Sequence, residues 1–315
     1  MGITVANALA PVFFVMLLGY FAGKARVVEN RNVSSLNALL MNFALPAGLF
    51  TAIVKTPQKV LMQEGKLILA LSISMLSIYG ITWLLQRSVF HIKKSQSAVQ
   101  ALTVAFPNCA SIGLPLLGSV FGSQSAVTVA VGIAVGAIFM APITLVTLES
   151  GSDERQTARG TDRFFRALLR SIRRPVVVVP FTAALLALLG VHIPDLLGRM
   201  LTLIGQSTAG LALFLTGLIL SAQPLCLNSS VLAGIALKNL LQVGIAVGTL
   251  WLFGVHGSLG GQAVLLLAIP AGFFGTVFGL GYGVVSLEAS STLVMSSLLS
   301  IITLPIAVLL AKSME

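Results

Sequence analysis

A chain of 315 residues with 57% hydrophobic and 9% charged side chains and a mean hydropathy of +1.01 is excluded from the soluble globular enzymes, where charged residues make up about 25%. The net charge of +10 does not mark a nucleic-acid binder, because the basic residues gather in a few connections and form no arm or stripe. Cys109 and Cys226 stand far apart in the pattern and supply neither a disulfide framework nor a metal-ligand set, so no cofactor is expected.

An apolar helix needs about 20 residues to cross the hydrocarbon of a bilayer. Apolar stretches of about that length lie at 3–23, 34–54, 65–86, 96–118, 124–148, 175–192, 200–222, 229–254, 258–283 and 289–311. The first has no basic segment before it and no small-residue cleavage site up to Lys24, so it reads as a spanning helix. Alternating ten-residue strands are absent from the pattern, and irregular backbone cannot face lipid, which leaves an all-α integral membrane protein of ten transmembrane helices. The connections after spans 1, 3 and 5 hold thirteen Lys and Arg residues and the opposite side holds five, so both termini are expected on the extracytoplasmic side of the inner membrane.

The longest connection, 149–174, divides the chain into a first five-helix repeat at 1–148 and a second at 175–315. A shift of 163 superposes Ala105-Phe106-Pro107 on Ala268-Ile269-Pro270 and Pro142 on Pro305; a shift of 162 superposes Ala47-Gly48-Leu49 on Ala209-Gly210-Leu211. With five spans in each repeat, the second enters from the other side, so the halves are expected to be inverted.

Span 2 carries Asn42 ahead of Leu45-Pro46-Ala47-Gly48, and span 7 carries Gln206 ahead of Ser207-Thr208-Ala209-Gly210; each group either completes a cavity or bonds neighbouring helices. In span 4, Pro107 and Pro115 flank Asn108, Cys109, Ser111 and Gly113, and in span 9 Pro270 and Gly272 precede Phe273, Phe274 and Thr276. Proline removes a backbone donor and clashes with the carbonyl four residues back, so both spans should be interrupted near mid-bilayer. The groups so freed need a cavity, an ion, water or substrate, and the amino end of each second half-helix favours an anion. Asn108 and Ser111 offer neutral donors at the first break. Thr276 does so at the second unless it bonds back to its own helix, and Cys109, with no His or Asp as a base, reads as a small packing residue of the site. Lys238 is the one charge well inside a span, either a counter-charge for an anion or a helix-end anchor, with Asn239 and Gln242 continuing its polar stripe. Glu288 reads as a charge at a helix amino end. No intramembrane carboxylate pair, His-Glu metal motif or phosphate-binding glycine loop is present, which argues against cation antiport, intramembrane proteolysis and ATP-driven pumping. In the basic connection, Arg155, Arg159, Arg163, Arg166, Arg170 and Arg174 recur every three or four residues, the pattern of an interfacial helix on anionic lipid, or else of a positive-inside signal alone.

In FALPAGLF at 43–50, AFPNCASIGLPLLG at 105–118, AGLALFLTGLILS at 209–221, AIPAGFFGTVFG at 268–279 and VSLEASSTLVMSSLLSIITLPI at 285–306, the sequence resembles the auxin efflux carrier family, which includes the plant PIN proteins. The resemblance covers nearly the whole chain. From FAGKARVVENRNVSSLN to FALPAGLF and in AVQALTVAFPN it is most similar to the bacterial malonate carriers associated with malonate decarboxylase. The resemblance implies an NhaA-like transporter fold in which the broken spans 4 and 9 cross. It further implies a scaffold of spans 1, 2, 6 and 7, a mobile domain of spans 3–5 and 8–10 moving as an elevator, and a homodimer through the scaffold. It implies substrate beside Pro107 and Pro270, with Asn108 next to the first. The short basic connection, Cys109 and Ala110 depart from the plant pattern and point away from auxin itself.

The expected function is therefore a secondary carrier of a small organic anion, malonate first, and not an enzyme. Asn108, Ser111 and backbone at both breaks would hold carboxylate, Phe273 and Phe274 would wall the cavity, and Lys238 would balance charge. Coupling to sodium, protons or voltage stays open. The competing readings are a sodium- or proton-coupled carrier of another organic anion, and an anion channel or membrane-embedded sensor.

Overall fold

The computed structural model describes residues 2–29, 33–55, 58, 65–152, 173–191, 193–222 and 225–314, and among them the chain is helical. The interfacial helix expected over Arg155–Arg174 lies outside the described residues up to position 172, and Arg174 itself is the residue before the helix Pro175–Leu188. Twelve helical stretches follow in chain order: α1 (Gly2–Lys24), α2 (Val33–Val54), α3 (Gly65–Ser88), α4 (Lys94–Ala105), α5 (Leu114–Phe121), α6 (Ala126–Ser150), α7 (Pro175–Leu188), α8 (Asp195–Ala222), α9 (Ser229–Leu252), α10 (Gly257–Ala268), α11 (Phe274–Gly281) and α12 (Leu287–Lys312). Among the described residues, six of these (α2, α3, α6, α8, α9 and α12) are long and apolar enough to cross a membrane alone. The distribution of side chains is that of a body in lipid. Phe14, Phe21, Ile302, Ile306 and Leu309 are exposed, while Ser74, Thr82, Gln100, Ser291, Ser297 and Ser300 are fully buried.

The boundaries differ from the hydropathy pattern where polar residues begin a helix. The 200–222 stretch starts earlier, at Asp195, because Pro194 sets the entry and Asp195 sits in the first turn, where a carboxylate is favourable. Its polarity hid the first turn from a hydropathy reading. Four π turns, Leu40–Ala44, Cys109–Gly113, Gly136–Met140 and Leu237–Leu241, widen the helices locally. The first three each end two residues before a proline: Pro46, Pro115 and Pro142. The carbonyl that a proline ring crowds lies four residues back, at the middle of each of these turns, so the wide turn relieves the clash without ending the helix.

Two groups of helices pack more heavily within themselves than with each other. In one, α1 lies along the Ser207–Ala222 half of α8, and the Leu45–Val54 half of α2 packs on α7 and on the Asp195–Gly205 half of α8. Glycine permits these approaches. A Cβ on Gly19 or Gly217 would overlap the carbonyl oxygen of Phe214 or Met16, and Gly205 crosses Gly48 at a distance that leaves a Cβ 2.8 Å from its backbone. In the other group α3 packs on α4 and α9, α4 on α6 and α11, and α10 on α9 and α12. Polar bonds tie this second group: Ser230 Oγ donates to Gln86 Oε1 (2.6 Å), Gln100 Nε2 to Thr292 Oγ1 (2.8 Å) and Thr128 Oγ1 to Gln262 Oε1 (2.7 Å). Elements recur at a fixed offset, since Lys94–Ala105 and Gly257–Ala268, both 12 residues long, start and end 163 apart.

Gly217→Ala should destabilise the protein by about 1–3 kcal/mol, the range for overpacking a close-packed contact. Gly210→Ala, where a Cβ would meet nothing within 4 Å, should leave the thermal melt in detergent unchanged.

Candidate functional site

The residue before a proline is pushed out of the helical region, and this happens twice. Phe106 (φ −97°, ψ 105°) ends α4 ahead of Pro107, and Ile269 (φ −57°, ψ 139°) ends α10 ahead of Pro270. The two extended strands meet antiparallel, with Pro107 bridged to Ala271. Asn108 N donates to the Pro270 carbonyl (3.0 Å), and Gly272 N donates to the Thr103 carbonyl (3.0 Å). Gly272 is required here, because a Cβ would overlap the Phe106 carbonyl oxygen. Phe106 stacks on Phe274 (centroids 4.4 Å, 11°), which stacks on Phe273 (4.8 Å, 14°), and the far edge of the Phe106 ring lies against Gly136. Phe273 and Phe274 are thus packed into the crossing, buried at 0% and 2% exposure, and face one another and Phe106.

The stripe on α9 answers the carbonyls that the breaks release. The wide turn at Leu237–Leu241 directs Lys238, Asn239 and Gln242 inward while Leu240 and Leu241 face out. Lys238 Nζ, fully buried, donates to the Leu267 carbonyl at the end of α10 (3.2 Å) and to Gln242 Oε1 (2.7 Å). Gln242 Nε2 in turn donates to the Ala105 carbonyl at the end of α4 (2.9 Å). A cation at a helix carboxyl end is favourable, and here one ammonium and one amide serve both ends together. Asn239 Nδ2 donates to the Ser296 carbonyl (3.2 Å), and Ser296 Oγ donates to Asn239 Oδ1 (2.7 Å) while accepting from Ala271 N (3.1 Å). The sequence left Lys238 between a counter-charge and a helix-end anchor. Its observed contacts are the carboxyl end of one neighbouring helix and Gln242 of its own.

Beside the crossing some groups have no partner. Asn108 is 1% exposed, and both its amide atoms are buried without a hydrogen bond; so are Ser111 Oγ and Thr103 Oγ1. Buried polar atoms are almost always bonded, and these four atoms are among the exceptions. Cys109 is buried behind it, and a Cβ on Gly113 would lie 3.1 Å from Val129, so both keep the turn compact. Thr276 Oγ1 donates to the Phe273 carbonyl (2.7 Å) in its own helix and is not free. Asn42 and Gln206 are not brought to the crossing. Asn42 is exposed, with Nδ2 on the Ala38 carbonyl (2.9 Å), and lines a separate cavity; Gln206 is exposed on a surface pocket with Lys55, Asp195 and Arg199. Glu288 sits in the first turn of α12, where Ser286 caps Ala289 N and bonds the Glu288 carboxylate (3.1 Å). Thr103 and Gln100 were missed in the sequence. Their signal is two polar residues in the otherwise apolar run AVQALTVAF.

A second cluster joins elements far apart in the chain. Arg174 Nη2 donates to Glu149 Oε1 (2.9 Å), Tyr282 Oη donates to the same oxygen (2.8 Å), and the guanidinium lies over the Tyr282 ring (5.3 Å). Burial is the largest single influence and works against the charge on Arg174, but the Glu149 bond together with the charges and contacts of Glu149 and Tyr282 outweighs it and holds the guanidinium above its ordinary range.

Apolar spanning helices around two interrupted, crossing segments with unpartnered polar groups at the crossing define a polytopic membrane protein of the solute-transporting class. The chain belongs to the family described as membrane transport protein, whose model matches residues 4–308. It is similar to "Uncharacterized transporter YfdV" of Escherichia coli (strain K12) and of Shigella flexneri, each 28% identical over 313 residues and covering 96% of both chains. It is also similar to the "Putative malonate transporter" of Rhizobium meliloti (strain 1021), 26% identical over 310 residues, 95% of this chain and 93% of that one.

Gln242→Leu should destabilise the protein by about 1–3 kcal/mol, since it strips the Ala105 carbonyl and the Lys238 ammonium of a partner at once. Leu240→Ala, on the outer face of the same turn, should melt much closer to the parent in detergent.

Proposed function

We propose that the protein is a secondary carrier of a small organic anion, malonate first, that works by alternating access. The observation that carries this reading is Asn108: an amide 1% exposed, with neither its donor nor its acceptor engaged, at the mouth of a helix that begins inside the protein. Asn108 Nδ2 and the Ser111 hydroxyl would donate to a carboxylate, and the first amides of the Cys109–Gly113 turn and of α11 would add the positive ends of two helices. Asn108 Oδ1 and Thr103 Oγ1 would accept from an undissociated carboxyl or hydroxyl on the same ligand. Pro107, Pro270 and Gly272 shape the crossing, the stacked Phe106, Phe273 and Phe274 give it a rigid apolar wall, and Lys238 offsets the carbonyl ends behind it. The name of the Rhizobium relative supports malonate as the first acid to try.

In this reading the helices form ten spans in two inverted five-helix repeats, 1–148 and 175–315, joined by 149–174. Supporting this are the offset of 163 between α4 and α10, the paired breaks, and residues that bond the two broken segments to one another. The helix group of α1, α2, α7 and α8 would be the scaffold and the other group the moving body, an elevator in which the unpartnered cluster travels past α2. A dimer through the scaffold and contact of the basic connection with anionic lipid belong to the same reading, as does an inner-membrane position with both termini outside.

Purified protein in liposomes should take up labelled malonate saturably and exchange it in counterflow, with sodium, proton and voltage gradients imposed one at a time to name the coupling. Asn108→Ala, folded by its melt, should lose uptake about tenfold or more, the worth of a charge-assisted hydrogen bond. Saturable uptake of another acid with no competition by malonate would replace the substrate, and flux without counterflow would replace the carrier by a channel.

A further inference from the structure

The cluster at Arg174 is more than a surface ion pair, because it encloses space. A cavity of about 180 Å³ lies between α2, α6, α7 and α11, lined by Asn37, Asn42, Leu145, Arg174 and Tyr282 among others. That volume holds about six waters at ~30 Å³ each, or one small acid. Glu149 is the one buried carboxylate among the described residues, and it is held by a guanidinium that remains half exposed. Asn37, on the opposite wall, is 2% exposed. Its Nδ2 donates to the Val277 carbonyl (3.2 Å), which fixes the amide orientation because a carbonyl only accepts, and its Oδ1 is left buried without a partner.

We propose that this cavity is a second anion site, distinct from the crossing, that takes a small organic acid carrying one carboxylate and, a few ångströms away, a hydroxyl or an undissociated carboxyl. The carboxylate pairs with Arg174, and the second group donates to Asn37 Oδ1. This deepens the carrier reading above and rests on it for the chemistry of the acid. The site is self-blocked in the observed state: Glu149 already occupies Arg174, and Tyr282 holds Glu149 in place. Arg174 precedes α7, Glu149 belongs to α6 and Tyr282 follows α11, so the ion pair fastens one helix group to the other. An incoming carboxylate that displaces Glu149 therefore fills the cavity and releases the fastening in one exchange of partners. No bond is made or broken covalently, and one ion pair replaces another.

The test uses the full chain in detergent, with Asn108→Ala present throughout to weaken the crossing site, and reads hydrogen exchange at 173–180 and 279–286 together with calorimetric binding of malonate, lactate and acetate. Glu149→Gln, nearly isosteric, should raise exchange at both segments severalfold with no acid present, and Tyr282→Phe should raise it less. Glu149→Gln should also tighten malonate binding by about tenfold, because an internal competitor for a charge-assisted bond is gone. Adding Arg174→Gln should abolish that binding, and Asn37→Leu should make malonate, lactate and acetate bind alike. Unchanged exchange in both Glu149→Gln and Tyr282→Phe would overturn the fastening, and absence of any Arg174-dependent binding in Glu149→Gln would overturn the site. Arg174-dependent binding here, together with failure of the unsubstituted chain to move malonate into liposomes, would leave this site standing and sink the transport reading alone.

Discussion

A backbone amide or carbonyl cannot be left alone inside a membrane protein, and the structure is organised around the two places where the chain breaks that rule. At Phe106-Pro107 and Ile269-Pro270 the helical ladder stops, and several of the groups it frees are answered from other parts of the chain. The strands answer each other through Asn108 N and the Pro270 carbonyl, and through Gly272 N and the Thr103 carbonyl. Ser296 answers Ala271 N, Lys238 answers Leu267, and Gln242 answers Ala105. What is left over is a side-chain cluster, Asn108, Ser111 and Thr103, whose polar atoms are buried and idle.

The breaks were legible in the sequence because proline acts locally: its effect on the preceding residue and on the carbonyl four back needs no partner. The same locality makes three of the wide turns readable in retrospect, each ending two residues before Pro46, Pro115 or Pro142. Thr276 was legible for the same reason, its alternative partner being only three residues away. Lys238 was visible as a buried charge but its role was not, since its partners are the end of α10, 29 residues on, and a glutamine that itself reaches the end of α4, 137 residues back. No periodicity records such a meeting. Asn42 and Gln206 were left open between a cavity and a bond to a neighbouring helix, and spacing could not decide, since both side chains are exposed and Asn42 bonds the Ala38 carbonyl of its own helix. The Arg174, Glu149 and Tyr282 cluster was invisible for want of any spacing that links positions 25 and 133 apart.

Both helix groups use glycine for close approach, Gly261 against the Ala311 carbonyl and Gly275 against the Val99 carbonyl in the second, and the second adds side-chain hydrogen bonds. In the first group α1 and α2 meet α8 through glycine, where backbones touch and a single added methyl overlaps its neighbour. Such contacts are short-ranged and tolerate no sliding. The α3–α6 and α9–α12 group is threaded by side-chain hydrogen bonds from the interior of one helix to the interior of the next, and these keep it a unit even where its backbone is interrupted. Because α4 and α10 are bonded to each other at the crossing and both are bonded to α9, neither broken helix can move without the other.

Exposure of Asn108 therefore cannot come from bending one half-helix aside, as that would strand several buried backbone groups at once. Packing is thinner at the seam between the groups, where cavities of about 240 Å³ and 180 Å³ lie against the carboxyl and amino ends of α2. The first is bounded by Thr51 and Lys55 on one wall and by Leu114, Val129 and Ile133 on the other, apart from the hydroxyl and ammonium an apolar seam that slips at little cost. The second contains an ion pair that must exchange partners before its walls separate. One end of the seam is thus held by charge and the other by apolar contact.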